Sequence, residues 1–231
     1  IIVGFGSFLG ELVTGGLLTP IDLGDKVDDF NPAGLNALTY NHELYGMPIA
    51  IDNVAFFRNV DLVPEAPTTW DEVLDISREL TANNTDNIET NQYGFIRMQG
   101  DPYHFFPIIT SFGGYVFGLN EDGTYNPEDL GIDSPESIAA LEWYADFLAE
   151  GLQPANIDGE TMVQWFEQGR AAMVITGPWF LSRIRESGIN FAISDLPGGE
   201  FPARPFTEAQ GFMVSAFSKE PLPAQVSLTD F

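Results

Sequence analysis

YGMPIAIDNVAFF, residues 45–57, is the stretch on which the fold prediction depends. Residues 45–51 favour an extended segment, because apolar residues follow one another without the spacing of a helix face. The polar pair Asp52 and Asn53 interrupts this segment. Val54-Ala55-Phe56-Phe57 is then a short apolar run, which is typical of a buried strand. The sequence therefore predicts two extended segments that are separated by a polar break.

Helices and strands alternate on both sides of this stretch. Thr69 and Glu72 have the spacing of a capping box at the start of a helix. Ser134-Pro135 predicts a second helix start, with Pro at the first helical position. The predicted buried faces of these two helices are Trp70, Val73, Leu74 and Leu80 in the first, and Ile138, Leu141, Ala145 and Leu148 in the second.

The remaining predicted elements complete an alternating order. Asp122-Gly123 is a possible hairpin turn between residues 115–117 and 124–125. The further predicted strands are residues 1–3 (buried), 93–96, 171–175, 190–194 and 211–216, and the further predicted helices are residues 8–18, 161–168 and 177–188. Alternation of this kind predicts an α/β fold with mainly parallel sheets.

The composition limits the classes of function. The chain has 231 residues, which is long for one compact core and comfortable for two lobes. Its 34 Asp and Glu against 9 Lys and Arg give a net charge of −25. Such a surface repels nucleic acid and acidic membranes. Adaptation to a salt-rich habitat and simple solubility both explain this charge. The absence of Cys excludes thiolate chemistry and Cys-ligated zinc.

Both ends of the sequence have the character of cut ends. Residues 1–4 lack an initiator Met and a basic leader, and residues 229–231 resemble the middle of a helix. No run approaches the roughly 20 apolar residues that cross a membrane. We therefore expect a fragment of a longer chain, whose targeting segment lies outside it, and we expect the isolated segment to be unstable or to associate.

Motifs of catalysis and cofactor binding are weak. The two histidines, His42 and His104, lie far apart without metal-ligand spacing, and the Gly-x-Ser-x-Gly and Gly-x-x-x-x-Gly-Lys patterns do not occur. Residues 4–10 resemble a dinucleotide loop with the wrong glycine spacing. Residues 120–123 resemble part of a calcium loop but lack the later Glu. The sequence predicts no cofactor, no metal site and no catalytic residue.

Five segments together resemble the maltose/maltodextrin-binding proteins of ABC importers, which are extracellular solute-binding proteins. Their order and spacing match the family across nearly the whole chain. The segments are residues 15–18 (GGLL), 46–52 (GMPIAID), 61–72 (from Asp61 to PTTWDE), 101–103 (DPY) with 113–115 (GGY), and 175–179 (ITGPW).

The resemblance implies an α/β, two-lobed periplasmic-binding-protein-like fold of type II, with lobes joined by crossing hinge strands and sugar held in the cleft. The first lobe is expected to be incomplete. The implied division is residues 1–50 in lobe 1, 51–55 as a hinge crossing, 56–205 in lobe 2, 206–210 as a second crossing, and 211–231 back in lobe 1.

The resemblance also implies the binding residues. Trp179 and Tyr103 are expected to be aromatic platforms, because a flat ring stacks on the apolar C–H face of a pyranose. Asp52 and Asp101 are expected to accept hydrogen bonds from sugar hydroxyl groups, and charged acceptors make the stronger bonds. Asp101 and Tyr103 are expected to grip the edge and the face of the sugar from one loop.

This chain departs from the family at several expected ligand positions. Ser7 stands where the family often has Asp, and Glu208 stands at the second crossing where many relatives have Gly. His104 replaces an aromatic residue, and Asp52 is shorter than the frequent Glu. These departures leave the identity of the sugar open.

The resemblance implies a carrier that is not an enzyme. It would bind maltose, maltodextrin or a trehalose-like sugar and deliver it to the membrane subunits of an ABC importer. Its expected location is periplasmic or extracellular, with a lipid anchor on a preceding segment as one possibility. Three alternatives stay open: a carrier of another sugar, polyol or amino compound, a glycoside hydrolase that uses two carboxylates, and an interaction protein without a ligand.

Overall fold

The computed structural model describes residues 1–121 and 123–229. The chain forms two compact units, which we call unit 1 (Ile1–Asn53 and Thr207–Phe231) and unit 2 (Val54–Phe206). Both units combine helices with strands, which confirms the predicted α/β class. The interpretation of residues 51–55 and 206–210 as hinge crossings stays a prediction.

The helices and strands follow in chain order. The strands are β1 (Ile2–Phe5), β2 (Leu18–Thr19), β3 (Thr39–Tyr40), β4 (Glu43–Leu44), β5 (Gly46–Asp52), β6 (Ala55–Asn59), β7 (Tyr93–Ile96), β8 (Phe117–Leu119), β9 (Tyr125–Leu130), β10 (Ala171–Thr176), β11 (Phe191–Ser194) and β12 (Glu208–Ser215). The helices are α1 (Leu9–Thr14), α2 (Pro32–Ala37), α3 (Trp70–Thr81), α4 (Pro102–Ser111), α5 (Pro135–Ala149), α6 (Gly159–Glu167), α7 (Leu181–Glu186) and α8 (Pro221–Thr229).

The sheet of unit 1 is organised around β12. This strand pairs with β1, β2 and β5, and all three pairings are antiparallel. The prediction of mainly parallel sheets is therefore wrong for unit 1. The return of the chain as β12 after unit 2 decides the pairing, and a local helix–strand alternation does not encode that long-range return.

The sheet of unit 2 has the strand order β11-β6-β10-β7. Only the β10–β7 pairing within it is parallel, and β6 runs antiparallel to both of its neighbours. The parallel prediction fails here too, because β6 is an early strand that lies between two strands from much later in the chain. Successive elements are therefore not neighbours in this sheet.

Apolar clusters cover both faces of the unit 2 sheet. Phe56 belongs to one cluster and Phe57 to the other, as the alternation of side chains along a strand requires. β10 is buried along its whole length. Each fully buried Phe side chain of this kind contributes about 1.5–3 kcal/mol through removal of apolar surface from water. This core makes the unit 2 sheet a rigid support for the segments that follow its strands.

The start of α3 confirms the predicted capping box. The Thr69 hydroxyl accepts a hydrogen bond from the Glu72 N–H at 3.2 Å, and the Glu72 carboxylate accepts from Thr68 and Thr69. Trp70 and Val73 are buried, and Leu74 and Leu80 pack against the same cluster. The predicted apolar face of this helix is therefore confirmed.

The predicted buried face of α5 is wrong except for Leu148, which packs against an apolar cluster of unit 2. Ile138 and Leu141 are exposed, whereas the buried apolar side chains are Ala140, Tyr144 and Phe147. Two stripes of α5 are apolar in sequence, and the stripe that carries two aromatic rings is the one that packs inward. Aromatic side chains remove more surface from water than aliphatic ones, so this face gains more free energy from burial.

The N-terminal prediction needs two corrections. Ile2 and Val3 are exposed, because β1 is the edge of its sheet and its described neighbours cover neither side chain. The predicted helix over residues 8–18 is the shorter α1, and Leu18 pairs with Ser215 as part of β2. Gly16 ends this helical stretch with a φ of +68°, a left-handed conformation that Gly adopts without strain.

Two predicted features involve undescribed residues. β8 and β9 form the expected antiparallel hairpin, but Asp122 of the predicted turn and of the calcium-like segment lies outside the described residues. α8 reaches Thr229, and Asp230 and Phe231 lie outside them as well. None of the described helices has both the length and the apolar character needed to cross a membrane.

Candidate functional site

Aromatic side chains converge at the start of α4 in unit 2. Tyr103 and Phe106 lie about one turn apart on this helix. The ring of Phe206 packs edge-to-face with each of them, and its centroid is 6.0 Å from each of their centroids. Phe206 is 43% exposed. These three rings form an aromatic surface that solvent reaches. Together with Trp179, we call it the α4 aromatic surface.

Trp179 completes the α4 aromatic surface from the end of β10. It lies in a short 3-10 turn, Pro178–Phe180, that directly follows the buried strand and Gly177. Its ring centroid is 6.2 Å from that of Tyr103 and 5.8 Å from that of His104. Trp179 is 48% exposed, whereas Trp70 and Trp165 are buried. An indole ring that is held by other rings and still reaches solvent is suited to stacking on a ligand.

A reciprocal hydrogen-bond pair holds the segment that carries Phe206. The Thr110 hydroxyl donates to the Arg204 carbonyl at 3.0 Å and accepts from the Arg204 N–H at 2.8 Å. The Phe201 N–H donates to the Ser111 carbonyl at 3.0 Å. These bonds fasten the segment to α4 just before Phe206, which explains how a residue so distant in sequence reaches Tyr103.

Asp101 has two partners within its own helix start. It is the N-cap of α4, where its Oδ1 accepts a hydrogen bond from the Tyr103 N–H at 2.9 Å. Its Oδ2 contacts Nδ1 of His104, the residue three positions further on. The side chains of Asp101 and His104 are 16% and 9% exposed. The expected loop around Asp101 is thus the capped first turn of a helix, because Asp before Pro is a strong helix start.

The buried Arg97 fixes the backbone just before this helix. Its Nη2 donates to the Asp101 carbonyl at 2.8 Å, and its guanidinium lies 4.8 Å from the ring centroids of Phe105 and Tyr144. Burial lowers the pKa of Arg97 below its ordinary value, while Tyr144 and Asp101 act in the opposite direction. The Arg97 backbone exchanges hydrogen bonds of 2.9 and 2.8 Å with the Gln153 side chain. The base of the aromatic surface is therefore tightly held.

The other three expected ligand residues come together in unit 1. Asp52 and Glu208 stand directly opposite each other in the antiparallel pair of β5 and β12. Gln210 donates a hydrogen bond from Nε2 to Asp52 Oδ2 at 2.6 Å. The backbone N–H of Ser7 donates to Glu208 Oε1 at 3.1 Å. We call this set the unit 1 acceptor group.

The unit 1 acceptor group is rich in hydrogen-bond acceptors and lacks a cation. Within the described part of the chain, neither Asp52 nor Glu208 forms an ion pair. Like charges directly opposite in a sheet destabilise the pairing. Neutral donors occupy one oxygen of each carboxylate, and carboxylates have capacity for further hydrogen bonds. Such a group can accept bonds from the hydroxyl groups of a neutral ligand.

The structure thus sorts the expected residues into two groups. Trp179, Tyr103 and Asp101 belong to unit 2, and Ser7, Asp52 and Glu208 belong to unit 1. Their roles toward a ligand stay predictions. In the part of the chain that the structure describes, no three His, Asp or Glu side chains gather closely enough to hold a metal ion.

Sequence reasoning missed several members of these groups. The contact between His104 and Asp101 was not predicted, although a spacing of three residues places the two side chains on one helix face. Gln210 and Phe206 carry no local signal, because their partners lie more than 90 residues away in sequence. The return of the chain as β12 places Gln210, and the hydrogen bonds of Phe201 and Arg204 to the end of α4 place Phe206.

The sequence of the chain is similar to those of known proteins. Residues 1–226 match the family model of bacterial extracellular solute-binding proteins. A galactooligosaccharide-binding protein of Bacillus subtilis is 32% identical over 95% of this chain and 53% of its own length. A maltotriose-binding protein of Pyrococcus abyssi is 30% identical over 87% of this chain and 43% of its own length.

A further relative, a maltodextrin-binding protein of Bacillus subtilis, is 28% identical over 83% of this chain. The matched region is 46% of that relative. The chain therefore spans about half the length of the curated relatives it matches.

Proposed function

This chain belongs to the family of bacterial extracellular solute-binding proteins, and from that premise we propose that it binds an oligosaccharide for an ABC importer. The observation that carries the proposal is the half-exposed Trp179, supported by Tyr103 and continued by Phe206 in the α4 aromatic surface. Relatives named for galactooligosaccharide, maltotriose and maltodextrin support a sugar as the ligand class.

The α4 aromatic surface offers apolar recognition of a sugar. The faces of a pyranose ring present C–H groups, which gain dispersion and hydrophobic contact with a flat indole. Trp179 and Tyr103 are tilted by 49° to each other, with centroids 6.2 Å apart. Two tilted rings fit two successive sugar units of a curved oligosaccharide better than one flat monosaccharide. We therefore favour a ligand of at least two sugar residues.

The unit 1 acceptor group offers polar recognition of a sugar. Among the described residues no cation pairs with Asp52 or Glu208, so their carboxylate oxygens can accept hydrogen bonds, and each sugar hydroxyl offers one donor. Gln210 and the Ser7 N–H hold these carboxylates in place. A neutral sugar suits such a group, whereas an anionic solute is disfavoured by the carboxylates and by the net charge of −25.

The proposal extends to location and partners. An extracytoplasmic carrier presents its bound sugar to the membrane subunits of an importer, and maltose, maltodextrin and trehalose are the ligands that we rank first. Hinge bending at residues 51–55 and 206–210 belongs to the same proposal. A ligand-dependent decrease in the radius of gyration, measured by small-angle X-ray scattering, tests the bending separately from the affinity.

Titration calorimetry with maltotriose, maltose, trehalose and a galacto-oligosaccharide tests the ligand class. We expect saturable binding of at least one of these sugars, and the same sugar should raise the melting temperature. Absence of heat and of a thermal shift with all four sugars would overturn the proposal. Release of shorter sugars during long incubation would instead identify a glycoside hydrolase.

A cationic amino compound is the second candidate ligand. The specific observation in its favour is the facing pair Asp52 and Glu208, which a bound ammonium group would compensate. A diamine titrated under the same conditions distinguishes the two candidates. Its binding should weaken strongly with added salt, whereas the binding of a neutral sugar should not.

A further inference from the structure

The contacts of Asp101 point to an indirect role in ligand binding. Resting on the proposed function, we propose that Asp101 is a positioning residue, which orients His104 so that His104 holds the Trp179 ring, and that it does not itself bind the sugar. This assignment replaces the expected role of Asp101 as a direct acceptor. It also gives a role to His104.

The first step is the engagement of both Asp101 oxygens. Oδ1 accepts the Tyr103 N–H as the cap of α4, and Oδ2 contacts His104 Nδ1. Only 16% of the Asp101 side chain is exposed. A carboxylate with two internal partners and little open surface is poorly placed to bind an incoming hydroxyl group. Its two oxygens instead hold the start of α4 and the imidazole of His104.

The second step is the immobilisation of the imidazole. His104 is buried, and its contact with Asp101 fixes both the tautomer and the plane of the ring, because the carboxylate requires a proton on Nδ1. The ring of Tyr103 packs against the imidazole with centroids 5.6 Å apart and planes inclined by 73°. His104 is therefore held from its own helix on two sides.

The third step is the contact between His104 and Trp179. Their ring centroids are 5.8 Å apart and their planes are nearly perpendicular, at 84°. Trp179 lies in a three-residue 3-10 turn, and one side of its ring lies against Gly177, the residue that precedes the turn. The rings of His104 and Tyr103 add contacts from α4. A loose His104 would leave the exposed indole free to sample other rotamers, which lowers affinity for a ligand that stacks on it.

Three variants separate the two functions of Asp101. Asp101→Ser keeps a cap for α4, because Ser is a good N-cap, but its short side chain does not reach His104 at the same time. His104→Phe keeps a flat ring and removes the Nδ1 donor. His104→Asn keeps a donor near the Nδ1 position and removes the ring. The matched control is Asp158→Ser, which changes the N-cap of α6 in the same unit without touching the α4 aromatic surface.

Acrylamide quenching of Trp179 fluorescence in the ligand-free protein tests the positioning without any sugar. The signal of Trp179 is the difference between each variant and the same variant with Trp179→Phe. Acrylamide is neutral, so the negative charge of the protein does not repel it. We expect faster quenching in Asp101→Ser and in His104→Phe, no further increase in the double variant, and no change in Asp158→Ser.

The sugar affinity of the same variants forms a double-mutant cycle. Asp101→Ser and His104→Phe each break the series of contacts from Asp101 through His104 to Trp179. Each should weaken sugar binding about fivefold, the effect of one lost hydrogen bond. The double variant should also weaken binding only about fivefold, because the series is already broken in each single variant. If Asp101→Ser weakens binding about equally in the parent and in the His104→Phe background, Asp101 binds the sugar directly and the proposal is wrong. Unchanged quenching in Asp101→Ser and His104→Phe would also overturn it.

Two results separate this proposal from the proposed function. If the parent protein binds no sugar, the proposed function fails, and the quenching series still decides whether Asp101 and His104 hold Trp179. If Asp101→Ser lowers the melting temperature far more than Asp158→Ser does, the sugar affinity of Asp101→Ser reports the loss of stability. His104→Phe and His104→Asn then decide the proposal. Both histidine variants should then show faster quenching than the parent, and parent-like quenching in both would overturn the proposal.

Discussion

Gly177 lies directly against the indole ring of Trp179: a Cβ atom added to Gly177 would stand 2.1 Å from Cζ3 and 2.2 Å from Cη2 of that ring. No side chain with a Cβ fits under the ring at this distance, so the orientation of Trp179 depends on a glycine two residues earlier. The φ of Gly177 is −110°, which any residue adopts. The requirement here is one of space rather than backbone conformation.

Gly177→Ala should displace the Trp179 ring and weaken sugar binding about as much as removal of the ring does. The change keeps every atom of Trp179, so a loss of affinity reports orientation alone. Calorimetry with the best-bound sugar measures it. Gly159→Ala is the matched control, because its new Cβ would meet only the flexible Met98 Sδ, at 3.1 Å. Parent-like affinity in Gly177→Ala would show that the ring orientation is unimportant.

Trp179→Ala should weaken sugar binding by about 1–3 kcal/mol, through loss of the stacking face. Its effect on the melting temperature should be small, because the side chain is 48% exposed. Calorimetry and thermal unfolding of the same preparation measure both quantities. Ile193→Ala, which truncates another half-exposed apolar residue of unit 2, is the control. Equal affinities of Trp179→Ala and the parent would remove Trp179 from the site.

Asp52→Asn should weaken sugar binding by roughly 1 kcal/mol and leave the protein at least as stable as the parent. The amide keeps one acceptor but loses the charge-assisted bond. The same change removes one of two carboxylates that face each other across β5 and β12, which relieves like-charge repulsion. Asp28→Asn, at an exposed position of unit 1, controls for the general loss of one charge. A marked loss of stability in Asp52→Asn alone would contradict this account.

The stability of unit 2 should decrease as the pH falls below the ordinary glutamate pKa of about 4.3. Hydrogen bonds from Thr68 lower the pKa of Glu72, and a hydrogen bond from Arg78 lowers the pKa of Glu150. A carboxylate with a lowered folded pKa contributes stability that is complete above its unfolded pKa of about 4.3. This contribution is lost as the pH falls through the lower folded pKa.

Thermal unfolding at a series of pH values above and below about 4.3 measures this loss of stability. Glu72→Gln and Glu150→Gln should each flatten the dependence of the melting temperature on pH, since Gln does not titrate. Glu142→Gln, which changes an exposed glutamate of α5, should leave the slope nearly unchanged. A parent-like slope in both Glu72→Gln and Glu150→Gln would contradict the assignment.

Local sequence patterns predicted local structure well. The capping box of Thr69 and Glu72 and the cap of α5 at Ser134 are both present. Each depends on residues within one or two turns of each other, so the sequence contains the whole interaction. The alternation of helices and strands likewise predicted the α/β class.

Long-range pairing was the main source of error. The sequence predicted parallel sheets, a buried β1 and an inward face of α5 through Ile138 and Leu141, and all three are wrong. Each depends on which distant element covers a strand or helix. A helix with two apolar stripes, such as α5, does not reveal which stripe has a partner.

The sequence by itself determined the capped helix starts and the apolar strands of unit 2. Its resemblance to a family implied the candidate residues Trp179, Tyr103, Asp101, Asp52, Ser7 and Glu208, whose roles stay predictions. Only the tertiary structure decided how these residues group. Asp52 faces Glu208 because the chain returns as β12 after about 150 residues of unit 2. Phe206 reaches Tyr103 because Phe201 and Arg204 are hydrogen-bonded to the end of α4. Sequence patterns encode contacts between neighbours in the chain, whereas contacts between distant segments depend on the free energy of the whole packed core.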